Sequence, residues 1–297
     1  MQRGRFAPSP TGELHLGNAR TALLAWLWTR SEQGRFLLRI EDLDAARVRP
    51  GLAALQTEEL RWLGLDWDGE PVFQSQRTAL YRQALGTLGD RVYECFCSRA
   101  EIAAAASAPH GDEGPRYPGT CAELNAAQRS ERRKVREPSL RLRVPPGPVS
   151  FVDELQGPQS FDVQAETGDF VLRRADGVFA YQLAVVVDDA AQGMTQVLRG
   201  ADLLPSTARQ ILLYRFLGLP EPRWAHAPLV LSSTGERLSK RDRAASLTEL
   251  RRCAADPRRI VADLARSAGL PAHECSTPRD LLSGFSLNRV FQSAVRP

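Results

Sequence analysis

Arg3-Gly-Arg-Phe-Ala-Pro-Ser-Pro-Thr-Gly-Glu-Leu-His-Leu-Gly-Asn18 decides how the chain folds. Arg3 to Ala7 reads as a short strand, which ends at Pro8-Ser9-Pro10-Thr11-Gly12. That segment is a loop because its prolines lack N–H donors and its glycine interrupts regular structure. From Gly17 the pattern turns helical: Ala19, Ala22, Leu23, Trp26 and Leu27 recur at helical spacing as far as Arg30. Arg35-Phe-Leu-Leu-Arg-Ile40 is a second strand. Strand, loop, helix and strand make the βαβ unit of a doubly wound parallel sheet, whose ligands sit at the carboxyl ends of the strands. The predicted fold class is therefore α/β.

Outward from this unit, Leu52 to Leu63 and Arg77 to Leu88 carry apolar residues at helical intervals, and Tyr93 to Cys97 resumes as a strand. The segment from Ala103 to Gly114 is of low complexity and is expected to be a mobile loop. Ser139 to Phe179 holds short alternating runs, such as Leu140-Arg-Leu-Arg-Val and Phe170-Val-Leu-Arg-Arg, that suit a small antiparallel insertion. Apolar Tyr181 to Val187 is predicted to be another buried parallel strand, where the nucleotide fold resumes. Helical patterns follow at Ser206 to Leu217 and from Leu247 to Ala268.

The chain of 297 residues can bury one sizeable core, and its composition is that of an ordinary globular protein. No apolar run is long enough to span a membrane, and the first residues lead into motif rather than a signal core, so a soluble, cytoplasmic protein is expected. The net charge of +4 is compatible with a polyanionic partner. Of 39 cationic residues only Lys134 and Lys240 are lysine, so a lysine retained in this arginine-rich background invites a chemical reason. The five cysteines are odd in number, which argues against a disulfide framework. Cys95, Cys97 and Cys121 lie close enough in sequence to suggest a metal, whereas Cys253 and Cys275 read as reduced thiols.

The loop and helix after the first strand suit a polyphosphate. Gly17 leaves room for close backbone approach, the helix start offers N–H groups and a positive dipole end, and His15 can donate to phosphate oxygens. A second basic element is Leu231-Ser-Ser-Thr-Gly-Glu-Arg-Leu-Ser-Lys-Arg241. Lys240 within it is a compact charge on a flexible stem, able to follow phosphates as they move.

The segment from Arg5 to Leu23 resembles the N-terminal block of class I glutamyl-tRNA synthetases almost residue for residue. His15-Leu16-Gly17-Asn18 occupies that family's HIGH element, and Arg237-Leu-Ser-Lys-Arg241 resembles its KMSKS loop. The resemblance implies a Rossmann-type doubly wound parallel sheet, with an inserted zinc-containing α+β subdomain and a short helical C-terminal segment. It implies a division into 1–93 and 181–241 for the catalytic domain, 94–180 for the insertion and 242–297 for the C-terminal segment. The implied reaction is attack of a substrate carboxylate on the α-phosphate of ATP, giving an acyl-adenylate and pyrophosphate. Such a displacement rests on positioning and charge stabilisation. His15, Gly17, Asn18 and Lys240 carry the catalytic role, and Ser239 joins them in holding ATP, with Mg2+ as its companion.

For the amino acid, the resemblance assigns Arg5, Phe6, Ala7, Pro8, Ser9, Glu41, Tyr181 and Arg199 to a glutamate pocket. Glu41 receives the α-ammonium, and the forked guanidiniums of Arg5 and Arg199 suit a side-chain carboxylate. Either Arg39 or Arg199 could instead serve a structural ion-pair network, with Asp42, Asp44 and Asp202 as scaffold. A structural Zn2+ would take Cys95, Cys97, Tyr117 and Cys121, with His110 as the rival to Tyr117. From the short stretch after Lys240 no anticodon-binding domain is expected, and Val185 stands where full-length enzymes usually have Asn. These features resemble the glutamyl-queuosine tRNA(Asp) synthetases, which activate L-glutamate without tRNA and transfer it to queuosine of tRNA(Asp). That reading expects a monomer and no membrane. A reduced glutamyl-tRNA synthetase and a non-catalytic glutamate- or tRNA-binding paralogue are the alternatives. Arg129, Arg132, Arg133 and Arg136 form a basic run that suits either tRNA contact or a solvated helix face.

Overall fold

A computed structural model describes residues 1–105, 115–229 and 246–291. The opening unit forms as its pattern requires: β1 (Arg3–Phe6), α1 (Leu16–Ser31) and β2 (Arg35–Ile40), followed by α2 (Leu52–Trp62) and β3 (Val72–Phe73). Strands β1, β2 and β3 pair in parallel in that order. Helix α1 is apolar nearly all round, and Leu23, Leu24, Trp26, Leu27 and Trp28 are all buried. A helix of this kind belongs inside a protein rather than on its surface. Gly4 lets it lie close to β1, since a Cβ there would sit 2.0 Å from Thr29 Oγ1.

Next come α3 (Thr78–Leu88), β4 (Val92–Cys95), α4 (Arg99–Ala105), α5 (Ala126–Arg133) and β5 (Ser139–Leu142). They lead to β6 (Val149–Asp153), β7 (Gly157–Phe161), α6 (Val163–Glu166) and β8 (Val171–Arg173). The remainder is α7 (Tyr181–Ala191), β9 (Gln196–Gly200), α8 (Leu204–Phe216), β10 (Arg223–Ala227), α9 (Leu247–Arg252) and α10 (Pro257–Ser267). Strands β4, β5 and β8 make a small antiparallel sheet. The hairpin of β6 and β7, predicted as part of the same insertion, instead joins a sheet ordered β7-β6-β10-β9, in which β10 runs parallel to both β6 and β9.

The parallel sheet of β1 and the mixed sheet of β9 meet at β1 and the turn before β9, where Thr195 N–H donates to the Arg3 carbonyl at 3.0 Å. One buried cluster joins α1, α10, β1 and β2; a second joins α3, α7, α8 and β9. Helices thus cover both faces, and the junction between β1 and β9 is where ligands of such sheets collect.

Tyr181–Ala191 is a helix, not the parallel strand predicted from its apolar run. A short continuous apolar run suits a buried helix as well as a buried strand. Leu183 to Val187 are all buried because α7 packs against both α3 and α8. The helical turn puts Tyr181, Val185 and Asp188 on neighbouring turns of one side. The helical pattern from Leu247 to Ala268 divides into α9 and α10, with Ala254 at a positive φ of 53° and Pro257 opening the second helix. Of the predicted mobile loop, residues 106–114 lie outside the described residues, while Arg99–Ala105 is helical.

Candidate functional site

Above the β1/β9 junction lies a cleft of about 440 Å³. Arg5, Phe6, Ala7, Pro8, Ser9, His15, Gly17, Asn18, Glu41, Tyr181 and Arg199 all line it. Ser239 and Lys240 lie outside the described residues, as does His110. Residues that are up to 194 positions apart in sequence are thus gathered around one space.

The loop from Pro8 to Gly12 is pinned from below. Buried Gln56 donates to the Gly12 carbonyl at 2.7 Å and the Ser9 carbonyl at 3.2 Å, and Glu41 N–H donates to the Pro8 carbonyl at 2.9 Å. His15 is the N-cap of α1. Its Nδ1 accepts from Gly17 N–H at 3.1 Å and Asn18 N–H at 3.3 Å, and Asn18 Oδ1 accepts from His15 N–H at 3.2 Å. This reciprocal capping box explains why Asn stands at the fourth position of the motif. The expectation of free N–H groups at the helix start is corrected for Gly17 and Asn18, whose donors the imidazole takes. A neutral imidazole whose Nδ1 accepts carries its proton on Nε2. His15 thus caps α1 through Nδ1 at the positive end of the helix dipole.

On the β1 side, Arg5 forms a two-pronged pair with Asp189 of α7, at 3.2 and 3.1 Å. Arg39, fully buried, donates to Asp189 at 2.6 Å, Gln192 Oε1 at 3.0 Å and Glu41 Oε1 at 3.3 Å. The structural network proposed for Arg39 exists, but with Asp189 and Glu41 rather than with Asp42, Asp44 or Asp202. Asp42 bonds Ser75, and Asp44 pairs with Arg174. Burial resists the Arg5 charge, yet Asp189 more than offsets it, so the guanidinium stays above its usual range. Burial also pushes Asp189 up, but Arg39 and Arg5 pull it below the usual carboxylate range. For Glu41 burial prevails over Arg39 and Arg5 and raises the carboxyl. Behind them Asp188 accepts from Arg77 at 2.5 Å, Tyr81 at 2.7 Å and Gln74 at 2.8 Å.

Arg199 on β9 is built differently. Its Nε donates to His226 Nε2 at 3.0 Å, and one amino group donates to Gln210 Oε1 at 2.8 Å and the Tyr181 hydroxyl at 3.2 Å. The other donates to Thr207 Oγ1 at 2.8 Å and the Leu203 carbonyl at 3.4 Å. Every one of these acceptors is neutral, and among the described residues no carboxylate lies within ion-pair distance. Burial accordingly lowers its pKa. Arg5 and Arg39 are thus paired with Asp189 and Glu41, whereas Arg199 has no carboxylate partner among the described residues. A buried charge of this kind is costly unless something pairs with it.

Asp188, Asp189, Gln56 and His226 escaped the reading of the sequence. Asp188 and Asp189 did carry a signal, since two acids ending an apolar run are buried wherever that run is. Gln56 and His226 carried none, because their partners come from distant segments.

Beside the cleft opens a second cavity of about 800 Å³, which shares Ser9, Thr11, Glu41 and Tyr181 with it. Its wall includes Arg47, Arg99, Arg136, Arg141 and Arg174. Of the basic run, Arg133 pairs with Glu94 at 2.7 Å and Arg136 with Glu101 at 2.9 Å. At the far wall the sulfurs of Cys95, Cys97 and Cys121 lie within 4.8 Å of one another. Tyr117 brings its hydroxyl to 3.3 Å from Cys95 Sγ and 2.9 Å from Cys121 N. Gly168, at φ 71°, lets the chain pass against Tyr117; a Cβ there would lie 2.4 Å from the Tyr117 carbonyl. Three clustered thiols and one phenol are a donor set that fits a tetrahedral zinc. Cys253 and Cys275 are exposed and free.

Residues 2–295 match the family model of tRNA synthetases class I (E and Q), catalytic domain. A glutamyl-Q tRNA(Asp) synthetase of Symbiobacterium thermophilum is 52% identical over 310 residues, covering 100% of this chain and 96% of its own. One from Nocardia farcinica is 53% identical, covering 97% and 90%. Among solved structures, a glutamate tRNA ligase from Elizabethkingia meningosepticum in complex with its amino acid superposes with a TM-score of 0.83 at 28% identity. That match covers 97% of this chain, which spans 65% of the ligase. No described helix is long and apolar enough to cross a membrane.

Proposed function

The chain belongs to the class I (E and Q) tRNA synthetases, and from that premise we propose that it activates L-glutamate with ATP and transfers the glutamyl group to queuosine of tRNA(Asp). The observation that carries the amino-acid half is the set of partners that hold Arg199. Arg199 offers one buried positive charge with no carboxylate partner among the described residues, and the side-chain carboxylate of glutamate supplies the missing charge. Tyr181 accepts from Arg199 and keeps its own proton to donate to the same carboxylate. Glu41 gives only Oε1 to Arg39, which leaves Oε2 for the α-ammonium. Neutral glutamine would leave the Arg199 charge buried and unpaired, and a site built this way discriminates strongly.

The substrate α-carboxylate then attacks the α-phosphate of ATP, forming the acyl–phosphate bond as pyrophosphate departs. The N-terminus of α1 and the Nε2 proton of His15 face the anionic phosphates, and Ser239 and Lys240 complete that role with Mg2+. The acceptor half rests on the relatives, which match the chain nearly end to end, and on the arginine-lined cavity beside Glu41 and Tyr181. Phosphates bring a polynucleotide to such a wall, and the shared residues adjoin the activated glutamate. Cys95, Cys97, Tyr117 and Cys121 would hold a structural zinc that fixes the far wall of this cavity.

Pyrophosphate exchange tests the first half. Glutamate should drive exchange of labelled pyrophosphate into ATP without any tRNA, and glutamine should not. No exchange with glutamate in the absence of tRNA would overturn the reading.

A further inference from the structure

Behind Arg199 stands a pair of buried residues that no substrate could touch: His226 on β10 is 0% exposed and Asp153 at the end of β6 is 1% exposed. Asp153 Oδ1 accepts from the backbone N–H groups of Leu155, Gln156 and His226 at 3.0, 2.9 and 3.1 Å. Its Oδ2 lies 2.6 Å from His226 Nδ1. On the other edge of the ring, Nε2 faces Arg199 Nε at 3.0 Å and Thr207 Oγ1 at 3.1 Å. Arg199 Nε can only donate, so His226 Nε2 must accept, and the ring proton must sit on Nδ1 against Asp153.

We propose that Asp153 and His226 are positioning residues for glutamate selection: Asp153 locks the His226 tautomer whose Nε2 lone pair holds the Arg199 guanidinium in place. This inference rests on the glutamate-activating reading of the cleft. The arrangement solves a specific problem. A carboxylate bonded directly to Arg199 would fix its orientation but cancel the charge that a substrate carboxylate needs, as Asp189 does for Arg5. A neutral imidazole between Asp153 and Arg199 transmits orientation without neutralisation. Burial drives the imidazole pKa down to about 4, so the spacer stays neutral at physiological pH.

Asp153→Asn breaks the lock without changing size. The amide oxygen must take the place of Oδ1 against three backbone donors, which turns the amide NH2 toward His226 Nδ1. That nitrogen then accepts, and the ring proton moves to Nε2. Thr207 can take the moved proton, but Arg199 Nε loses its acceptor. Hydrogen bonds to charged groups are worth enough that the glutamate KM in pyrophosphate exchange should rise about tenfold to a hundredfold. The ATP KM and kcat should change far less, and the preference for glutamate over glutamine should fall.

Two measurements separate this from loss of structure. In the wild-type protein, 15N NMR of the histidines, four in all, should show His226 protonated on Nδ1; protonation on Nε2 would overturn the proposal without any variant. In a His226→Gln background the ring tautomer no longer exists, so adding Asp153→Asn should raise the glutamate KM little further. An equal rise in both backgrounds, or an Asp153→Asn protein that keeps the wild-type glutamate KM, would also overturn it. Wild-type protein that shows no glutamate-dependent exchange at all would instead defeat the reading of the cleft, while the NMR result would still stand.

Discussion

Arg5 and Arg199 face the same cleft and are equally buried, yet one is neutralised by Asp189 and the other, among the described residues, is held only by neutral groups. The difference separates two uses of a buried cation. Arg5, Arg39 and Asp189 form a closed set that ties β1, β2 and α7 together and shapes the wall. Arg199 is oriented by Gln210, Thr207, Tyr181 and His226, none of them a carboxylate. Under the proposed function, stability and specificity rest on different residues of one site.

Breaking the closed set should have the largest effect. Asp189→Asn leaves Arg5 and Arg39 buried with too little negative charge, and removing one partner of a buried pair costs about 3 to 5 kcal/mol. Urea unfolding should show that loss; a variant of wild-type stability would mean that the pairing contributes nothing.

Arg199→Gln should sharpen the contrast from the other side. It removes a charge that no carboxylate among the described residues compensates, so stability should fall much less than in Asp189→Asn. Under the proposed function, glutamate activation should by contrast drop on the order of a thousandfold in kcat/KM, the scale for losing a buried charge partner. If unfolding and activity were affected alike in both variants, the division between the two arginines would be wrong.

A smaller effect should follow from pH. His226 titrates at about 4 in the folded protein, against about 6.5 when exposed. The unfolded chain therefore binds a proton between those values that the folded protein refuses. Stability should fall as pH drops through that window, by at most about 3 kcal/mol. Burial resists ionisation of Asp153, but His226 holds its carboxyl below the usual range, which adds a loss of the same sign at lower pH. Unfolding free energies at pH 7 and pH 4.5 should differ more in the wild type than in His226→Gln, and equal differences would contradict the assignment.

The comparison also explains what the sequence could reveal. The strand, loop and helix from Arg3 to Arg30 are local, each fixed by neighbours in the chain, and they were legible down to the residues lining the cleft. Arg5, Glu41, Tyr181 and Arg199 were legible through a family pattern. The partners that decide their electrical state were not, since Asp189 lies 184 residues from Arg5 and Asp153 lies 73 from His226. Only the fold brings such pairs together. The same limit made α7 read as a strand: its apolar run records burial, and burial alone does not distinguish the two periods. His15 is the reverse case, where a local pair was visible but its geometry was not. Its Nδ1 serves the helix, accepting from Gly17 and Asn18 N–H.

Transfer of labelled glutamate tests the central claim most directly, using the wild-type chain with ATP and tRNA(Asp) that either carries or lacks queuosine. The account predicts label on the queuosine-containing tRNA(Asp) alone, at a site that survives removal of the terminal adenosine. Label on the terminal ribose of tRNA(Glu), or equal labelling of both forms of tRNA(Asp), would contradict it.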